Sequence, residues 1–178
     1  MMVTVILTCE VAFWILAATG LLLRYVVRWR KASSVVLAMV PLIDVFLVGA
    51  VAIDVYQGAE VTAVHSLAGI YLGWTVVFGK STIAWLDGWF AYRFAGAPRP
   101  AKRPKHGPEA LKNETKSFVK WLVAAAIALA VCFGLSVTVA DAQQGAALRE
   151  VVQPLGLITV IWFLTGPAWV KGVTEARR

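Results

Sequence analysis

The chain has 178 residues, of which 60% are hydrophobic and 15% charged, and its mean hydropathy is +0.74. That composition excludes an ordinary soluble domain, in which about 45–50% of residues are apolar and about 25% charged. A net charge of +7 would suggest nucleic acid in a soluble protein, but the placement of Lys and Arg around apolar spans explains most of it, so no nucleic-acid partner is expected.

Segments 3–23, 35–53, 61–78, 121–140 and 151–170 approach the roughly 20 apolar residues needed to cross a hydrocarbon core. In lipid each segment must satisfy its own backbone hydrogen bonds, and the alternation of a β-barrel is absent. The expectation is one all-α membrane domain, a polytopic bundle of five transmembrane helices. Of the 17 Lys and Arg residues only Arg149 falls on the far side of these spans. Retention of basic residues in short inner loops then places the N-terminus outside and the C-terminus in the cytoplasm, with the plasma membrane as the expected location.

The first span lacks a positive n-region and is interrupted by Glu10, so it reads as a retained helix and not as a cleaved signal. Cys9 and Cys132 fall within spans and form no Cys-x-x-Cys pair, which makes them buried free thiols. In the second span Asp44 lies about 14 Å from either end at 1.5 Å per residue, too deep for its short side chain to snorkel. Pro41 removes a helical hydrogen bond one turn before it, which favours a kink and a hydrated pocket. An ionisable residue at that depth is a functional candidate by default.

His65 lies about one turn into the third span, and Asp54 and Glu60 sit at the outer rim. His65, Gly69 and Gly73 are spaced by four and share a stripe, and the two glycines form a small-x-x-x-small packing face. Trp14, Trp74 and Trp162 lie deep in their spans, where an indole N–H seeks an acceptor or faces a cavity; packing is the favoured explanation.

Residues 81–94 are too polar to span and carry Trp85 and Trp89 one turn apart, so they read as an interfacial amphipathic helix. Residues 95–117 form a flexible basic cytoplasmic loop in which Pro98, Pro100, Pro104 and Pro108 alternate with Arg99, Lys102, Arg103 and Lys105. Such a loop attracts anionic inner-leaflet lipid at about 1 kcal/mol per basic residue. Trp29, Trp121 and Trp169 complete an inner aromatic belt. In the fifth span Pro154 reads as a helix start and Gly166-Pro167 as a kink.

Catalytic motifs fail on spacing. Gly79-Lys80-Ser81 ends like a phosphate-binding loop, but Trp74 stands where the first glycine is needed. Asp87 to Arg93 resembles part of the signature of the CDP-alcohol phosphatidyltransferases, whose paired aspartates hold divalent metal. The aspartate three residues earlier is Ala84, and no Gly-x-x-x-Asp-x-x-x-Asp follows. Asp87 alone does not supply the convergent oxygens that metal requires, and His65 as a lone intramembrane histidine does not supply two haem ligands. No metal, cofactor or catalytic residue is expected.

The functional expectation is an outer polar vestibule in which Glu10, His65, Asp54 and Glu60 lead a cation or proton to Asp44. The competing expectation is an accessory or assembly subunit of a larger membrane complex, with Gly69 and Gly73 as the contact face and the basic loop as a docking arm; a homo-oligomer is open to either reading.

Overall fold

The computed structural model describes residues 2–101, 104 and 106–170. All regular structure among them is helical: α1 Met2–Tyr25, α2 Arg30–Ala38, α3 Val40–Tyr56, α4 Ala63–Phe94, α5 Pro108–Thr138, α6 Ala142–Arg149 and α7 Val152–Phe163, followed by a π-helical turn at Leu164–Ala168. These make five candidate membrane spans, with α2 and α3 joined in one and α6, α7 and the π turn in another. The all-helical, five-span architecture therefore holds. α4 and α5 form the central pair, α1 and α3 pack beside α4, and α7 packs against α5.

The centre is built on small residues. A Cβ on Gly69 would stand 3.1 Å from both the Ala128 carbonyl oxygen and the Cys132 Sγ. One on Gly73 would run into the Ala124 carbonyl. Ala124, Ala128 and Cys132 are themselves one turn apart on α5, so two small-residue stripes meet and the backbones approach closely. At one end of this pair Leu47, Val51, Val55, Ala68, Leu135 and Leu148 form an apolar cluster. On the other side of α5, Trp162 stacks on Trp121 at 5.4 Å and on Phe78 at 6.2 Å, and the Trp121 indole N–H donates to Thr159 Oγ1 at 2.9 Å.

On either side of the basic loop the boundaries differ from the sequence expectation. Residues 81–94 are not a separate interfacial helix but the last turns of α4, which runs unbroken for 32 residues, about 48 Å at 1.5 Å per residue. No residue there breaks the helix: Gly79 costs only about 1 kcal/mol in a helix interior, and the Ser81 hydroxyl donates back to the Phe78 carbonyl at 2.8 Å. The extension is tied down by the end of α1, where Arg24 meets Asp87 at 2.9 Å and the Tyr25 hydroxyl reaches the Asp87 carbonyl at 2.8 Å.

The basic loop is shorter than 95–117, because α5 begins at Pro108. Gly107 adopts φ +90° just before it, Pro108 occupies the first turn where its missing N–H costs nothing, and Glu109 faces the positive end of the helix dipole. Of the four loop prolines, the last starts a helix. Pro100 packs near Gly88, and Arg99 lies 5.7 Å from the Trp89 ring centroid, so this strand of loop folds back along α4.

Candidate functional site

Pro41 separates α2 from α3 at Met39 and sits in the first turn of α3, one turn before Asp44. α3 then presents Asp44, Leu47, Val51 and Val55 to the interior. Asp44 is 8% exposed, and its Oδ2 has no hydrogen-bond partner among the described residues. A buried carboxylate oxygen without a partner is costly, and such groups stand out against the general rule that buried polar atoms are paired.

Asp44 lines a cavity of about 300 Å³ between α1, α3 and α4. α1 contributes Cys9, Phe13 and Trp14, α3 contributes Asp44 and Leu47, and α4 contributes Tyr71, Trp74 and Thr75. The Thr75 side chain lies within hydrogen-bonding reach of the carboxylate. Helical spacing explains the lining, since residues three and four apart share a face: Cys9 and Phe13 on α1, and Tyr71, Trp74 and Thr75 on α4. The cavity continues toward the basic end as a gap of about 70 Å³ that shares Phe13, Trp74 and Thr75 and is otherwise lined mostly by aliphatic side chains such as Leu21, Leu37 and Ile83.

The structure does not bring Asp44 together with Asp54 or His65. Asp54 is ten residues further along α3, about 15 Å away at 1.5 Å per residue. Between them Leu47 and Val51 are 2% and 0% exposed. Asp54 is instead paired with His65, whose Nε2 lies 3.1 Å from Asp54 Oδ2. The Thr62 backbone N–H donates to His65 Nδ1 at 3.1 Å, closing the first turn of α4 as a capping interaction and leaving Nε2 to carry the proton that Asp54 accepts. Glu60 is exposed in the α3–α4 loop, and the side chain of Glu10 lies outside the described residues.

Sequence reasoning misses Gln144, yet it closes the same end. Its Nε2 donates to the carbonyls of Val55 at 3.0 Å and Ala59 at 2.8 Å, while its backbone N–H and its Oε1 pair with Asp141. Asp141-x-x-Gln144 is a capping-box spacing, which is the available signal for α6.

The remaining candidates have structural surroundings of their own. Gly69 and Gly73 pack on α5 within the chain, so the stripe is not open to a partner. Trp85 and Trp89 stand edge to face at 6.3 Å on the α4 extension, with Arg99 beside Trp89. Lys102, Arg103 and Lys105 lie outside the described residues. Asp87 is neutralised by Arg24. Among the described residues no group of three His, Cys, Asp or Glu side chains could hold a metal ion.

No family model matches the chain and no solved structure matches it. The chain is 32% identical over 160 residues to the uncharacterized membrane protein YmcC of Bacillus subtilis (strain 168), a match covering 89% of this chain and 85% of the relative. With five apolar helices and an alignment of that extent, the chain belongs to the same family of integral membrane proteins as YmcC.

Proposed function

We propose that this small integral membrane protein carries a cation or a proton across the plasma membrane, with Asp44 as the group that takes the charge. The observation that carries this reading is Asp44 itself: its carboxylate is buried halfway along a membrane span with one oxygen unpartnered, and the residue lines a cavity. Intramembrane carboxylates are expensive, and by default they mark ion and proton pathways. Access in this reading runs through the cavity beside α1 and α4. The acidic rim is sealed by the Asp54–His65 clasp and by Leu47 and Val51 beneath it.

Orientation follows the basic residues, with the α1–α2 turn and the α4–α5 loop in the cytoplasm. There Trp85, Trp89 and Arg99 rest at the inner interface against anionic lipid. Against the accessory-subunit reading stands the packing of α5 on Gly69 and Gly73, which that reading takes as its contact face.

The test is flux through proteoliposomes. Wild-type protein should dissipate an imposed proton or monovalent-cation gradient at least tenfold faster than Asp44→Asn reconstituted at equal density. Equal rates for both proteins would overturn the proposal.

A further inference from the structure

Resting on the reading of Asp44 as the charge-binding group, we propose that its cavity takes a small organic ammonium cation, which enters sideways from the bilayer between α1 and α4.

The chemistry of the lining selects the class. A divalent metal ion needs several convergent oxygens to replace its hydration shell. Here the side-chain oxygens are those of one carboxylate, Asp44, and two hydroxyls, Tyr71 and Thr75. The rest of the wall is carbon, sulfur and aromatic ring, and four of its eight residues are Phe13, Trp14, Tyr71 and Trp74. Aromatic faces attract a cation through the ring quadrupole, most strongly where water is excluded, and recognition of substituted ammonium ions by aromatic cages is the general use of that effect. One carboxylate to match one positive charge, with rings to match its alkyl substituents, is complementary to an ammonium group.

Size agrees. A volume of about 300 Å³ stands at the lower edge of the roughly 300–1,000 Å³ found for ligand pockets. That suits a small cation, and the adjoining gap of about 70 Å³ suits one alkyl arm.

The route follows from exposure. Trp14, Trp74 and Tyr71 line the cavity and yet are 65%, 42% and 38% exposed. At the depth of Asp44, midway along the Lys31–Tyr56 span, exposure means contact with acyl chains. The cavity mouth is therefore lateral, and its ligand is one that already partitions into the membrane. A phospholipid headgroup is the other source of an ammonium. It would bring a phosphate, and the cavity lining holds no Lys or Arg to meet one.

Equilibrium binding tests this independently of transport. The full chain, purified in a maltoside detergent, is titrated with benzyltrimethylammonium, with its neutral isostere neopentylbenzene, and with short-chain phosphatidylcholine, and tryptophan fluorescence is read. Saturable binding of the cation is expected, at least tenfold tighter than binding of the isostere. Asp44→Asn should lose at least tenfold in affinity, Trp74→Leu several-fold, and Asp44→Glu should retain binding, which separates lost charge from lost fold.

Equal binding of cation and isostere, or equal binding to wild type and Asp44→Asn, overturns the proposal. Tighter binding of phosphatidylcholine than of the free cation also overturns it. Absence of cation binding alongside Asp44-dependent proton flux overturns the ligand class and leaves the permeation reading standing. Asp44-dependent cation binding without any flux supports the ligand class and removes the permeation reading.

Discussion

The imidazole Nε2 of His65 lies 3.1 Å from Asp54 Oδ2, joining the last turn of α3 to the first turn of α4. With Nδ1 already occupied by the Thr62 N–H, the ring has both nitrogens engaged. His65 is 4% exposed, and removing its ring leaves the part-buried Thr62 N–H and Asp54 carboxylate without this partner. His65→Ala should destabilise the protein by about 1–3 kcal/mol, read as a lowered unfolding midpoint in mixed micelles. Asp54→Asn should cost less than half as much, because an amide oxygen still accepts from Nε2–H. Cation binding at Asp44 should survive both, since a wall of Leu47 and Val51 intervenes.

Gln144 carries a second closure of that end. Its side-chain amide donates to two carbonyls at the end of α3 and just beyond it, those of Val55 and Ala59. Gln144→Leu removes both donors and should cost about 1–3 kcal/mol. Gln144→Glu should cost more, because an ionised carboxylate cannot donate and faces two carbonyl oxygens instead. Thermal unfolding of the three proteins in detergent orders them, and an unchanged midpoint for Gln144→Glu would contradict the contact.

The α4–α5 interface predicts a contrast between glycines. Gly73→Ala places a methyl group against the Ala124 carbonyl and should destabilise by about 1–3 kcal/mol, the usual range for overpacking. Gly49, in the middle of α3, has nothing within 4 Å of the place a methyl group would take, so Gly49→Ala should be neutral or stabilising by up to about 1 kcal/mol. The two unfolding midpoints, measured side by side, check both.

The α4 extension depends on Arg24 and Asp87. Their ion pair at 2.9 Å is partly exposed, with side-chain exposures of 33% and 20%, so its loss should cost global stability no more than about 1 kcal/mol. Its local effect should be larger. Asp87→Ala is expected to speed amide exchange across residues 81–94 at least several-fold while the α4–α5 centre stays protected, and uniform protection after the substitution would argue against the tether.

The membrane class and the number of spans were legible because length and hydropathy alone decide them, as were Asp44 as the deep carboxylate and Pro41 as the break before it. The small-residue stripe at Gly69 and Gly73 was legible as a packing face, but not which helix it packs on; that depends on α5 offering Ala124, Ala128 and Cys132 in matching register. Helix adjacency was also what hid the site. Asp54 and His65 descend toward Asp44 by depth along their spans, whereas in space the apolar side chains of α3 separate them from it and aromatic residues of α1 and α4 take their place. The signal for that second set was present in the one-turn spacings of Cys9 with Phe13 and of Tyr71 with Trp74 and Thr75. It gains meaning only when both faces are known to meet the same side of α3.

The most direct measurement of the central claim is gradient dissipation by proteoliposomes containing wild type, Asp44→Asn and Asp44→Glu at matched density. Rapid dissipation by wild type, a rate at least tenfold lower for Asp44→Asn and partial recovery for Asp44→Glu are predicted. A rate for Asp44→Asn equal to wild type would contradict Asp44 as the group that takes the charge.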